Sequence, residues 1–85
     1  MNFDRTERFK KQYQKLPQQI QRLTNQKLGF LLENFNHPSL RVKKYKGEKD
    51  VWEASITMNY RLTFRIEQDT YILLAIGTHK EILGR

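Results

Sequence analysis

Apolar residues fall at two different spacings along this chain, and the change of spacing divides it. In the first part Phe9, Tyr13 and Leu16 recur at three- and four-residue intervals, which predicts a helix over residues 4–15. Asp4 followed by Glu7 has the form of a capping box at its start, and Pro17 ends it. Pro is well tolerated in the first turn of a following helix. Ile20, Leu23, Leu28, Leu31, Leu32 and Phe35 form an apolar stripe that carries a second helix to about Asn34. Gly29 costs that helix about 1 kcal/mol relative to Ala, so it is expected where another element approaches closely.

His37-Pro38-Ser39 closes the helical part, with His37 read as a turn residue, and the period then becomes two. Trp52, Ala54 and Ile56 alternate with Glu53, Ser55 and Thr57, and Tyr60, Leu62, Phe64 and Ile66 alternate with Arg61, Thr63 and Arg65. These are half-buried strands. Leu40 and Val42 predict a shorter strand before them, and the unbroken run over residues 71–76 predicts a strand that is central or covered on both faces. A three-residue loop, residues 57–59, sets Ile56 opposite Tyr60 and Ser55 opposite Arg61, so apolar meets apolar and Arg61 projects from the non-core face. Asn59 is expected in the left-handed conformation. The fold class is α+β: a helical hairpin on a four-stranded, mainly antiparallel, twisted sheet in the order α-α-β-β-β-β.

The 85 residues contain no repeat or linker and read as a single domain over residues 1–85. With no cysteine, neither disulfides nor thiolate-held zinc can supplement the core, and packing alone must stabilise it. No apolar run approaches the roughly 18 residues of a membrane span. A cytoplasmic protein without a membrane partner is the expectation. Sixteen Lys or Arg against nine Asp or Glu leave a net charge of +7, which attracts polyanions. Eleven basic and three acidic residues lie in residues 1–46, against five and six in the remainder, so the basicity belongs to the first half.

His37 and His79 are far apart with no ligand spacing between them, and there is no nucleophile elbow, P-loop or dinucleotide fingerprint. No cofactor is expected. What remains is a phosphate-directed inventory: Arg41, Lys43, Lys44 and Lys46 before Gly47, Arg61 on a strand, and His79 after the last strand. RNA carries its own nucleophile, the 2′-OH. Its cleavage needs a proton acceptor, positive charge for the transition state, and a donor for the departing 5′-oxygen, and no metal. His works in either direction near neutrality, and Arg matches phosphate oxygens with paired donors. Lys10, Lys11 and Lys15 of the first helix, with Arg5 and Arg8, would position RNA, and Tyr60 could stack on a base or belong to the core.

Three stretches are distinctive together: Lys44-Tyr45-Lys46-Gly47, Trp52 to Phe64 containing Tyr60-Arg61-Leu62, and Gly77-Thr78-His79. Following two helices, they resemble the basic "K-L-K-G" element, the "W…YRL-F" hairpin and the "GTH" ending found in the RelE/ParE superfamily of bacterial type II toxin-antitoxin toxins, the last in its YafQ-type members. The resemblance covers essentially the whole chain. It implies a toxin that enters the ribosomal A site and cuts mRNA, held in check by a cognate antitoxin protein. It also implies roles: Lys44 and Lys46 as the basic catalytic pair, Arg61 as the phosphate-binding arginine, and His79 as the proton-transfer histidine. YafQ-like members carry an aromatic residue four positions after that histidine, where this chain has Leu83. ParE-like members share the fold but inhibit DNA gyrase by protein contact, and a non-catalytic RNA-binding domain is a third reading of the charge.

Overall fold

A computed structural model describes residues 1–46 and 48–83. Two helices, α1 (Glu7–Gln14) and α2 (Gln18–Glu33), follow a first strand β1 (Asn2–Arg5). Strands β2 (Lys43–Lys44), β3 (Trp52–Ser55), β4 (Tyr60–Glu67) and β5 (Thr70–Thr78) come next, and α3 (His79–Leu83) completes the described chain. The sheet order is β1-β5-β4-β3-β2, antiparallel except for the β1/β5 pair, which is parallel. The fold is α+β, as expected, but its sheet is mixed and five-stranded.

The additional strand is β1, and its pairing explains why it is silent in sequence. Asn2, Phe3, Asp4 and Arg5 pair with Thr70 to Leu73 at the far end of the chain, and only Phe3 of the four is partly buried. An edge strand with a single apolar side chain has no alternation to detect. Because the strand runs to Arg5, α1 starts later than the Asp4/Glu7 pattern predicts, and Thr6 is its N-cap. The Thr6 hydroxyl accepts from the Phe9 amide at 3.2 Å and donates toward the carbonyls of Leu73 and Leu74 at 3.0 and 3.1 Å. One side chain thus caps the helix and ties it to β5.

Three other expectations are corrected. Leu40 lies buried in a 3-10 turn (Pro38–Leu40) instead of a strand, because Pro38 starts the turn and His37 Nδ1 accepts from the Ser39 amide. Arg41 follows in a left-handed conformation (φ 48°), so extended backbone resumes only at Lys43. Asn59 is not left-handed, since the Thr57 hydroxyl accepts from the amides of both Asn59 and Tyr60 and closes the turn by side-chain bonding. Gly29 meets no neighbour, for a Cβ built there would have nothing within 4 Å.

The predicted hairpin register holds, with Ser55 opposite Arg61 and the Ile56 amide donating to the Tyr60 carbonyl at 2.9 Å. The strand over residues 71–76 is interior to the sheet, between β1 and β4, in keeping with its apolar run. Phe9, Leu28 and Leu31 from the helices pack on Ala54, Leu62, Phe64, Leu73 and Ile76 to form the core. Trp52 meets Phe35 edge-on at 5.2 Å on the border of this core. The Tyr71 hydroxyl donates to the Leu31 carbonyl inside the protein, and burial pushes its ionisation above the ordinary tyrosine value.

Gly29→Ala should therefore stabilise the protein by about 0.5–1 kcal/mol, since an exposed helical position gains propensity and meets no steric obstacle. Urea unfolding of the two proteins measures this, and a loss of stability would contradict the open surroundings of Gly29.

Candidate functional site

The alternation of β3 and β4 fixes which side chains share the polar face of the sheet. Lys43 pairs with Glu53, Glu53 with Thr63, and Thr63 with Ala75, while Ser55 pairs with Arg61 and Arg61 with Gly77. Glu53 is buried, and its two carboxylate oxygens lie 3.7 Å from Lys43 Nζ and 3.9 Å from Arg61 Nε. Arg61 also donates to the Thr57 carbonyl at the start of the turn, leaving its side chain 26% exposed. A guanidinium held on both sides in this way is preorganised, so it loses little freedom when it meets an anion.

Two depressions flank the turn formed by residues 56–59. The first, about 260 Å³, is lined by Lys27, Ser39, Arg41, Ser55, Thr57 and Arg61 among others. The second, about 400 Å³, is lined by Met58, Asn59, Tyr60, Thr78, His79 and Lys80. Met58, 87% exposed, belongs to both. The β4/β5 pairing brings the second depression beside the first: Arg61 faces Gly77, two residues before His79, and Tyr60 faces Thr78. Cations and hydroxyls on one side, and a histidine, a tyrosine and a lysine on the other, can bind a polyanion and exchange a proton with it.

Arg61, His79, Tyr60 and Arg41 thus gather at one end of the sheet. Lys43 shares the Arg61 face through Glu53. Lys44 does not, because alternation turns it to the opposite face, where its ammonium lies 5.5 Å from the centre of the Trp52 ring. Lys46 is exposed in the turn after β2, and Gly47, the last residue of that basic element, lies outside the described residues. Lys10 pairs with Glu7 at 3.4 Å, Lys11 is exposed, and Lys15 lines a separate hollow with Gln12, Pro17 and Tyr60. Arg8, though exposed, reaches to α3, where its guanidinium donates to the Ile82 carbonyl at 2.9 Å.

Lys27, Glu53 and Lys80 did not emerge from the sequence as members of this region. Glu53 was within reach of the predicted register, which places it diagonally across from Arg61. Lys27 comes from α2, and no local pattern reveals that it crosses to the Ser39 carbonyl at 3.2 Å. Among the described residues no group of three or more His, Cys, Asp or Glu could hold a metal ion. None of the described helices is long and apolar enough to cross a membrane.

This architecture is that of known toxins. A YoeB/ParE toxin from Agrobacterium tumefaciens superposes with a TM-score of 0.80 at 15% identity, covering 93% of this chain and 99% of that one. A metal-bound toxin from Helicobacter pylori gives 0.80 at 21% identity, covering 98% and 99%. The RelB-RelE antitoxin-toxin complex from Methanococcus jannaschii gives 0.73 at 22% identity, covering 92% of each chain. No curated protein matches the sequence. Residues 4–83 match the model of the family described as the ParE toxin of type II toxin-antitoxin system, parDE, and the chain belongs to that family. It is therefore a type II toxin of the RelE/ParE superfamily, as the three distinctive stretches of its sequence had indicated.

If Lys27, Arg41 and Arg61 converge on one anion, inorganic phosphate at low ionic strength should shift the amide signals of Ser39, Ser55 and Thr57. Arg61→Ala should reduce that response several-fold in an NMR titration. Amides that stay unmoved in the native protein would show that the three cations act separately.

Proposed function

We propose that this toxin is a ribosome-dependent endoribonuclease that cleaves mRNA in the A site without a metal. The observation that carries the reading is the convergence of Arg61 and His79 on one end of the sheet, on either side of the exposed turn bearing Met58. In this reaction the RNA 2′-OH loses its proton and its oxygen attacks the adjacent phosphorus. The bond to the 5′-oxygen breaks, that oxygen takes up a proton, and a 2′,3′-cyclic phosphate remains. Arg61, with Arg41 and Lys43 nearby, offsets the charge that builds on the phosphoryl oxygens. His79 exchanges the proton. Tyr60 offers a stacking surface at the edge of the second depression, and Lys46 adds charge from the turn after β2. Lys10, Lys11 and Lys15 on α1 hold RNA without cutting it. Lys44, on the other face, is assigned no step.

Control of such an enzyme calls for an antitoxin. The solved Methanococcus jannaschii toxin is described in complex with RelB, and we infer a corresponding partner here. An excess of +7 favours an acidic, amphipathic segment that folds on binding and covers the cations from RNA. The cytoplasm, where ribosomes and message meet, is the proposed location.

One observation favours a second reading. The separation of Lys44 from Arg61 leaves the basic pair implied by the resemblance unassembled, which fits inhibition of DNA gyrase by contact. Following mRNA integrity and DNA supercoiling together after induction decides between them.

Arg61→Ala and His79→Ala should each lower mRNA cleavage about 100-fold or more and relieve growth arrest. Lys44→Ala should change cleavage little. Folded variants that remain fully toxic while mRNA stays whole would refute the nuclease reading. Ribosome binding should also weaken steeply with salt, by about 0.7 in log affinity per log unit of salt for each phosphate contacted. Neutralising Lys10 and Lys11 should flatten that slope, and a slope near zero in the native protein would remove RNA as the electrostatic partner.

A further inference from the structure

The segment that presents His79 is anchored at both ends by residues of no evident chemistry. Thr78 and Glu81 bracket it reciprocally: the Glu81 carboxylate accepts from the Thr78 amide at 2.8 Å, and the Thr78 hydroxyl accepts from the Glu81 amide at 3.2 Å. This is a capping box in which His79 is the first residue of α3. Gly77 permits it, since a Cβ at that position would lie 2.7 Å from the Glu81 Oε1 that closes the box. Helix α1 holds the two flanks. Gln12 Oε1 accepts from the Ile76 amide at 3.0 Å ahead of the histidine, and Arg8, one turn earlier, donates to the Ile82 carbonyl behind it. The pattern Gly77-Thr78-His79-Lys80-Glu81 is thus one mechanical unit.

We propose that Glu81 is a positioning residue for His79. Through Thr78 it fixes where the imidazole stands relative to Arg61, with Arg8 and Gln12 securing the flanks. The kinetic consequence rests on the nuclease reading, while the placement of His79 does not. Gln can close the same box, whereas Ala cannot. Loss of alignment alone is costly, since a displacement of about 1 Å at a reacting group can reduce the rate on the order of 100-fold.

The experiment compares Glu81→Ala and Glu81→Gln in the full-length toxin, with kcat and KM for mRNA cleavage on ribosomes and the side-chain NMR signals of His79. Glu81→Ala should lower kcat roughly 10- to 100-fold at unchanged KM and move the His79 signals. Glu81→Gln should restore both. If Glu81→Ala keeps kcat and leaves the His79 signals in place, or if Gln behaves as Ala does, the proposal is overturned. Should Glu81→Ala fail to fold, Thr78→Val removes the opposite half of the box and is read the same way. If the native protein leaves mRNA intact, the nuclease reading fails and the spectra alone decide. His79 signals displaced by Ala and restored by Gln then support the proposal, and unmoved signals overturn it.

Discussion

An interior strand has backbone groups on two edges to satisfy, and in this protein the second edge of β5 is the constraint around which the rest is arranged. Strand β4 runs along one edge from Tyr60 to Glu67. The other edge is shared out. β1 covers it from Thr70 to Leu73, the Thr6 hydroxyl reaches the carbonyls of Leu73 and Leu74, and the Gln12 side chain takes the Ile76 amide. A buried amide or carbonyl left without a partner costs about 1–3 kcal/mol, so none of these substitutions for a longer strand is optional. Strand, cap and helix form a continuous seam along β5. The first helix is oriented by this seam as much as by the apolar contacts of Phe9.

The cations of the first half of the chain do not form a uniform basic surface. Arg8 is drawn into α3, Lys10 to Glu7, and Lys44 over Trp52. Positive charge from Arg61, Arg41 and Lys27 lines one depression where the sheet ends. Glu53 tempers it. A buried carboxylate within 4 Å of Lys43 and Arg61 lowers their mutual repulsion and draws both toward it, and an excess of positive charge remains. The separations exceed hydrogen-bonding distance, so the arrangement orders the cations without locking them.

The helices, the hairpin register and the central strand were legible because each follows from a local period. Ser55 and Arg61 fall opposite one another through turn length and alternation, both readable from about a dozen residues. Much of what escaped was non-local. β1 carries one useful apolar side chain and finds its partner at the other end of the chain, so no window of sequence contains the evidence. Arg41 broke the expected strand at Val42 through a left-handed backbone that an arginine does not announce. Arg61 and His79 could be singled out as candidates because their motifs sit on regular elements, and the structure brings both to one end of the sheet. Lys44 and Lys43 differ by one position, and in a two-residue strand that single step selects the opposite face. The Thr78/Glu81 box was present in the sequence as the pattern T-x-x-E, the same kind of signal that pointed too early at Asp4 and Glu7. Only the end of β1 at Arg5 distinguishes the true cap from the false one.

The pairing of Asn2 with Thr70 has a consequence in time. Synthesis proceeds from the N-terminus, so β1 leaves the ribosome well before Thr70 to Leu73, the residues it pairs with. Helices α1 and α2 can form early from local contacts, but the seam along β5 closes only when β5 has been made, and loop closure over that span must precede its reward. Gln12 and Arg8 have nothing to hold until then. A nascent chain therefore carries its helices long before it carries the end of the sheet that holds Arg61 and His79. That end of the sheet is completed as a single late event, once β5 and the Thr78/Glu81 box that follows it have been made.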